Sequence, residues 1–147
     1  MTDDLLQAEF EFGYTYTRTT GPVIGHFLHQ LKNRSMVGIR GSKGQVIVPP
    51  MEYDPETAEE LSEFVPLASS GSVVSYSWVH QPRPRHLLQH PFAWALIQFD
   101  GADTSLLHMV DAGAEQNITI GSRVNVRWAA ETRGHITDIA CFELENS

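Results

Sequence analysis

Aromatic residues alternate with polar or small ones near the start of the chain. The aromatic positions are Phe10, Phe12, Tyr14 and Tyr16. A period of two predicts an extended segment that carries all four rings on one face. Apolar surface of this extent usually marks an interface. We therefore expect an arm over residues 1–20 that docks a partner, with burial of the rings against the chain's own helix as the alternative.

A helix is predicted after the arm, and a β-hairpin after the helix. Apolar residues recur at helical spacing from Val23 to Leu31, and Pro22 suits a first helical turn. Two β-type runs then flank a turn-rich connector, and a proline pair ends the second because proline cannot donate to a ladder. These elements are a helix at about 22–33, strands at 36–40 and 45–48, and prolines at 49–50.

Evenly spaced β-type runs fill the C-terminal half. Before them, Asp54 and the proline behind it predict a capped helical turn that leads into a connector. Val74, Tyr76 and Trp78 alternate with other residues, as half-buried barrel walls require. Five runs predict a small barrel, either an OB-fold or another type. The runs are 72–80, 92–99, 104–110, 122–129 and 135–143.

The predicted architecture is mainly β. A five-stranded OB-type barrel over 71–147 follows a segment, 21–70, that holds the helix, the hairpin and a connector. The arm over 1–20 precedes both. A chain of 147 residues is long enough for one hydrophobic core, so we expect one compact unit.

Charge and composition narrow the classes of function. Ten Lys and Arg against eighteen Asp and Glu give a formal charge of −8, which disfavours binding to nucleic acid. No apolar run approaches the roughly 20 residues of a membrane span, and the acidic start is unlike a secretory signal. A single cysteine, Cys141, excludes an internal disulfide. These features predict a cytoplasmic protein that binds neither membranes nor nucleic acid.

Several short stretches match a known pattern in order and spacing. They are RGSKGQVIVPP at 40–50, GSVVSYSWV at 71–79, PFAWALI at 91–97 and IGSRV at 120–124. The layout resembles the domain-of-unknown-function family numbered 35, small proteins encoded beside thiolase-like enzymes. In that family the hairpin is a zinc ribbon with cysteine pairs. Here Gly41 and Gly44 stand at two of those positions, so the resemblance implies a degenerate, metal-free ribbon.

The cysteine-free hairpin and the following EYDP at 52–55 are similar to one branch of the family. That branch partners a thiolase-like lipid-transfer aldolase in steroid side-chain breakdown, and it also occurs fused to a MaoC-type hydratase. The resemblance implies a non-catalytic accessory subunit in a hetero-oligomer. Its partner would cleave a steroid acyl-CoA by retro-aldol reaction, releasing a ketosteroid and propionyl-CoA. The subunit would support acyl-CoA binding and the partner's fold, with acyl-CoA at or near the interface and no cofactor or catalytic residue of its own.

The loop between the first two barrel strands is the candidate ligand or partner site. It places Arg83 and Arg85, two of only ten cations, beside His86. OB-folds often bind ligands with loops of this kind, and guanidinium groups suit the phosphates of CoA or a partner's carboxylates. A solvated loop that is stiffened by proline and binds nothing is the alternative.

Other candidate chemistry is weaker. His26 and His29 have the spacing of two metal ligands on a helix, although surface histidines are the simpler interpretation. Cys141 is expected in the core. The aromatic residues Tyr76, Trp78, Trp94 and Trp128 suit either base stacking in an OB-type nucleic-acid module or a barrel core. An independent small enzyme and a subunit of a different thiolase-like acyltransferase or MaoC-type hydratase also remain open.

We predict that the purified protein carries no stoichiometric zinc. One cysteine and scattered histidines cannot supply a closed tetrahedral site. Elemental analysis after chelation measures this directly. One equivalent of retained zinc would show that the hairpin has been misinterpreted.

Overall fold

The computed structural model describes residues 8–145. Eight strands, one α-helix and two short 3₁₀ helices make up the fold, and among these residues no helix is long and apolar enough to cross a membrane. The helix α1 spans Gly21–Lys32, and the 3₁₀ helices span Glu115–Asn117 and Ile136–Asp138. The strands are β1 Met36–Arg40, β2 Val46–Ile47, β3 Phe64–Leu67, β4 Ser70–Val79, β5 Phe92–Phe99, β6 Leu106–Asp111, β7 Arg123–Trp128 and β8 Ile139–Leu144.

Five strands close into a barrel in the order β4-β5-β6-β8-β7, with β7 paired back to β4. All pairs are antiparallel except β6 with β8. Every second residue of β5 points inward and is buried, from Ala93 to Phe99, and packs with Val110 and Phe142. The predicted mainly β fold with a five-stranded OB-type barrel is confirmed.

A β-bulge in β4 changes which of its side chains face the barrel interior, so one predicted orientation is wrong. Val74 was expected to face inward, but it is 42% exposed and Val73 is buried instead. The ladder shifts register between Val73 and Ser75, which leaves one extra residue on β4. Beyond the bulge, Tyr76 and Trp78 pair with buried alanines of β5 and so share their face; Trp78 packs against the core, whereas Tyr76 is 37% exposed.

A small sheet in the order β2-β1-β3 packs beside the barrel. The sequence predicted the β1–β2 hairpin, but between the capped turn at Asp54 and the barrel it predicted only a connector. Residues 64–67 instead form β3, which pairs along β1. Pro66 weakens the strand pattern there, yet an edge strand tolerates proline. The ribbon-like ancestry of the hairpin stays a prediction.

The helix and the hairpin share the hydrophobic core of the barrel. Phe27 and Leu31 of α1 belong to the same buried cluster as Met36 and the inner barrel residues. The hairpin is also bonded to the β5–β6 turn: Val46 N donates to Asp103 Oδ2 at 2.8 Å, and Val48 N donates to Thr104 Oγ1 at 2.7 Å. The two sheets therefore pack against each other through both apolar and polar contacts.

The Asp54 side chain ties the hairpin turn to the segment that follows it. One carboxylate oxygen accepts from Ser42 N (3.0 Å), Ser42 Oγ (2.9 Å) and Gln45 Nε2 (3.2 Å). The other accepts from Glu56 N (2.8 Å) and Thr57 N (3.1 Å). These bonds, led by the one from the Ser42 amide, hold the pKa of Asp54 well below its usual range.

The capped turn predicted at Asp54 is confirmed: residues 55–57 form one helical turn, closed by a bond from Ala58 N to the Asp54 carbonyl at 2.9 Å. Two local predictions need correction. The last predicted run begins with a 3₁₀ helix, so β8 starts only at Ile139. The aromatic segment at 10–20, predicted as one face of a strand, forms no strand, because its backbone has no ladder partner among the described residues.

We predict that Asp54→Asn lowers the melting temperature by about 5 °C at neutral pH. The amide keeps only one acceptor oxygen, and its NH2 group would face donors that now bond to the second carboxylate oxygen. Glu60→Gln, a charge-matched change at an exposed site, serves as the control. Because folding lowers the pKa of Asp54, its contribution is complete above the unfolded-chain pKa of about 3.9 and is lost as the pH falls below it. Calorimetry from pH 7 to 3 should show the two proteins converging; a constant difference would contradict this role.

Candidate functional site

The basic loop, residues 80–91, joins β4 to β5 and holds a defined shape. His86 N donates to the Arg83 carbonyl at 2.9 Å, and Arg83 N donates to His86 Nδ1 at 3.1 Å. Pro82 and Pro84 restrict the backbone between and beside them. A loop that is already ordered loses less entropy when it binds.

His86 fastens the basic loop to the outer face of the barrel. Its ring lies edge-on to Phe92, with centroids 5.1 Å apart, and to Trp94 at 6.0 Å. Phe92 is fully buried there with Met109 and Cys141. The sequence proposed His86 as a ligand contact; the structure shows contacts of this ring with the barrel and the loop.

Arg83 and Arg85 are exposed, and neither is paired with a carboxylate of the described residues. Among residues 8–145, no Asp or Glu oxygen lies within 4.0 Å of either guanidinium. Together with Pro84 and His86 they line a surface depression of about 540 Å³. In a chain of charge −8, two neighbouring cations without a carboxylate partner in residues 8–145 are suited to an external anion.

An apolar groove of about 310 Å³ lies next to the basic loop. Its floor is the outer face of β5 and β6, and its walls are the loop and the second 3₁₀ helix. Asp138 holds that helix in place, accepting bonds from three backbone amides at 133–135. The apolar lining comprises Leu87, Trp94, Leu107, Met109 and Ile136. Sequence analysis missed this groove because its residues come from four separate segments.

A second depression, of about 510 Å³, is lined by charged groups that form ion pairs with one another. Arg127 lies 3.0 Å from Asp111 and 2.9 Å from Glu143, and His90 Nε2 lies 2.9 Å from Asp111. Burial opposes ionisation of Asp111, but hydrogen bonds from His90 and Arg127 outweigh it and lower its pKa. The cluster thus bonds β6, β7 and β8 together.

Two buried titratable groups, Cys141 and His108, have pKa values shifted by burial. Burial raises the pKa of the Cys141 thiol to about 11, so little reactive thiolate exists at neutral pH. Burial likewise lowers the pKa of His108, and its Nδ1 accepts a bond from Met109 N at 2.9 Å. The expectation that Cys141 belongs to a packed interior is confirmed.

The aromatic arm is exposed along its described length. The four rings are 73–83% exposed and follow one another at centroid distances of 6.3, 5.9 and 5.9 Å. Burial of these rings against the chain's own helix, the alternative interpretation, is therefore wrong. Docking of Phe10, Phe12, Tyr14 and Tyr16 onto a partner stays a prediction.

The remaining aromatic and histidine candidates contact other parts of the fold. The His26 ring lies 4.0 Å from that of Phe64, and His29 is exposed. Within residues 8–145, no three His, Cys, Asp or Glu side chains are grouped to hold a metal ion. Trp78 and Trp128 pack against the barrel core, and Trp94 packs against the outer cluster around Phe92.

Comparison with known proteins agrees with this fold. The family model described as the ChsH2 C-terminal OB-fold domain matches residues 64–129. A structure of a protein of unknown function from the DUF35 family of Sulfolobus solfataricus has a TM-score of 0.62 and 21% identity, covering 85% of both chains. The Ltp2-ChsH2(DUF35) aldolase has a TM-score of 0.58 and 22% identity, covering 81% of this chain and 90% of that one. No curated protein matches the chain.

These matches confirm the resemblance drawn from the sequence. The family match runs from β3 to the end of β7 and so contains the basic loop and most of the barrel. At identities of 21 and 22% the solved structures establish the fold alone.

Proposed function

We propose that this OB-fold protein, whose barrel is of the ChsH2 C-terminal type, is a non-catalytic accessory subunit of a thiolase-like aldolase complex. The complex would cleave the side chain of a steroid acyl-CoA by retro-aldol reaction in the cytoplasm. The partner would carry out the chemistry, while this chain would support acyl-CoA binding and the partner's folding.

The observation that carries the proposal is the likeness to the Ltp2-ChsH2(DUF35) aldolase over 81% of the chain, together with the family match at 64–129. The site supports the same role. Its exposed groups are cations and apolar side chains, which suit binding, whereas the Cys141 thiol is fully buried and its raised pKa leaves little thiolate at neutral pH.

Two surfaces would serve the complex. The exposed rings of the arm would pack against the thiolase-like subunit, since burial of four aromatic side chains in an interface is energetically favourable. Arg83 and Arg85 would bind an anion at the interface, either a CoA phosphate or a carboxylate of the partner. His86 would hold the loop that carries them.

We predict that the thiolase-like subunit is insoluble or inactive alone and recovers when this chain is co-expressed, as obligate partners require. Phe12→Ser with Tyr14→Ser should reduce the yield of complex at least about 10-fold, since two exposed rings lose their contact surface. Co-purification and cleavage of a steroid acyl-CoA measure both effects.

The matched control for the arm is Thr15→Ser with Thr17→Ser, which changes the same segment and leaves its rings intact. Equal recovery with the ring variant would show that the arm is not the docking surface. A thiolase-like subunit that is soluble and fully active by itself would contradict the proposed function.

We further predict that Arg83→Glu with Arg85→Glu weakens binding of an anion at the basic loop by about 10-fold or more at low salt. Added salt should remove part of the difference, because the contact is electrostatic. Lys32→Glu with Arg133→Glu gives the same change of charge at other positions and is the control.

Separate titrations identify the anion at the loop. A higher Michaelis constant for acyl-CoA with intact assembly would indicate a phosphate contact, whereas looser assembly would indicate a partner carboxylate. Unchanged affinity for both would leave the loop as a solvated connector.

A further inference from the structure

The apolar groove beside the basic loop has no role in the proposal so far. We propose that it receives one apolar side chain of the thiolase-like subunit, flanked by a carboxylate that pairs with Arg83 or Arg85. This inference rests on the proposed function and adds the surface and the chemistry of the contact.

The groove belongs to a continuous apolar strip. Leu107 is 59% exposed and pairs directly with Leu96, which is 39% exposed, on the neighbouring strand. Leu87 and Ile136, 54% and 36% exposed, form the walls on either side. Cross-strand neighbours such as Leu96 and Leu107 share one face, so the strip extends beyond the groove itself. Contiguous apolar surface of this kind is characteristic of an interface centre.

A protein covers this surface better than a small ligand does. Binding pockets for small molecules enclose most of the ligand's surface, whereas here the walls themselves are half exposed. An inserted side chain fills the groove while the backbone and neighbours that carry it cover Leu87, Leu107 and Leu96. That is the arrangement of a hot spot, an anchor surrounded by contacts that exclude water.

The charges specify what flanks the anchor. Arg85 lines both the groove and the basic depression, and Arg83 lies in the same loop. Both are exposed without a carboxylate from residues 8–145 within 4.0 Å, whereas Arg123 and Arg127 are each paired with two. An acidic side chain next to the partner's anchor completes this pairing.

The test co-expresses the thiolase-like subunit with each of three single variants and measures the yield of complex that co-purifies. Leu107→Glu and Leu87→Glu should each reduce that yield at least about 10-fold, because covering a carboxylate with the apolar anchor costs its hydration and its charge repels the acidic neighbour. Ile120→Glu, the same change at a 72% exposed residue outside the groove lining, should bind like the parent. Since all three sites are exposed, melting temperatures should stay within about 2 °C of the parent.

Each other outcome overturns the inference. If the parent binds and all three variants bind equally, the groove assignment fails and the proposed function stands; if the parent binds no thiolase-like subunit, both fail. An equally large loss in the Ile120 variant shows a non-specific charge effect.

Two further outcomes identify a different occupant. If Leu107→Glu instead reduces only binding of decanoyl-CoA to the isolated chain, the occupant is an acyl ligand. If it only converts a dimer of this chain to monomer, the occupant is a second copy.

Discussion

Barrel closure divides the side chains of β5 and β6 into an inner and an outer row, and the outer row forms the floor of the apolar groove. Five strands close only when alternate residues fill the interior. The inner row of β5 is fully buried. Of the outer row, Phe92 is covered by the basic loop through His86, while Leu96 and Leu107 remain exposed. The basic loop that covers Phe92 thus also forms one wall of the apolar groove.

Charge is distributed in two different ways over the same barrel. Arg123 and Arg127 each bind two carboxylates and join the ends of strands, so their charges are paired within the protein. Arg83 and Arg85 stand on a loop whose backbone is already ordered, without such partners among the described residues. In an acidic protein this contrast separates cations that stabilise the fold from cations suited to an external anion.

The hairpin turn is held in place by one carboxylate. Here five hydrogen bonds converge on Asp54 from the hairpin turn and from the following segment, and the hairpin is bonded again to the barrel through Asp103 and Thr104. These contacts come from residues up to 57 positions apart.

The sequence by itself determined the elements whose signal is local. The helix, the hairpin and the barrel strands follow from apolar periodicity and from proline and glycine positions, and the pair of arginines is visible as a cluster in an acidic chain. Tertiary structure alone decided the facing of β4, because one bulged residue reverses its alternation, and the identity of β3, because an edge strand with proline is stabilised only by its neighbour. It also decided the groove, whose four segments meet only when the barrel closes. A side chain's periodicity is a property of its neighbours in sequence, whereas a groove is a property of neighbours in space.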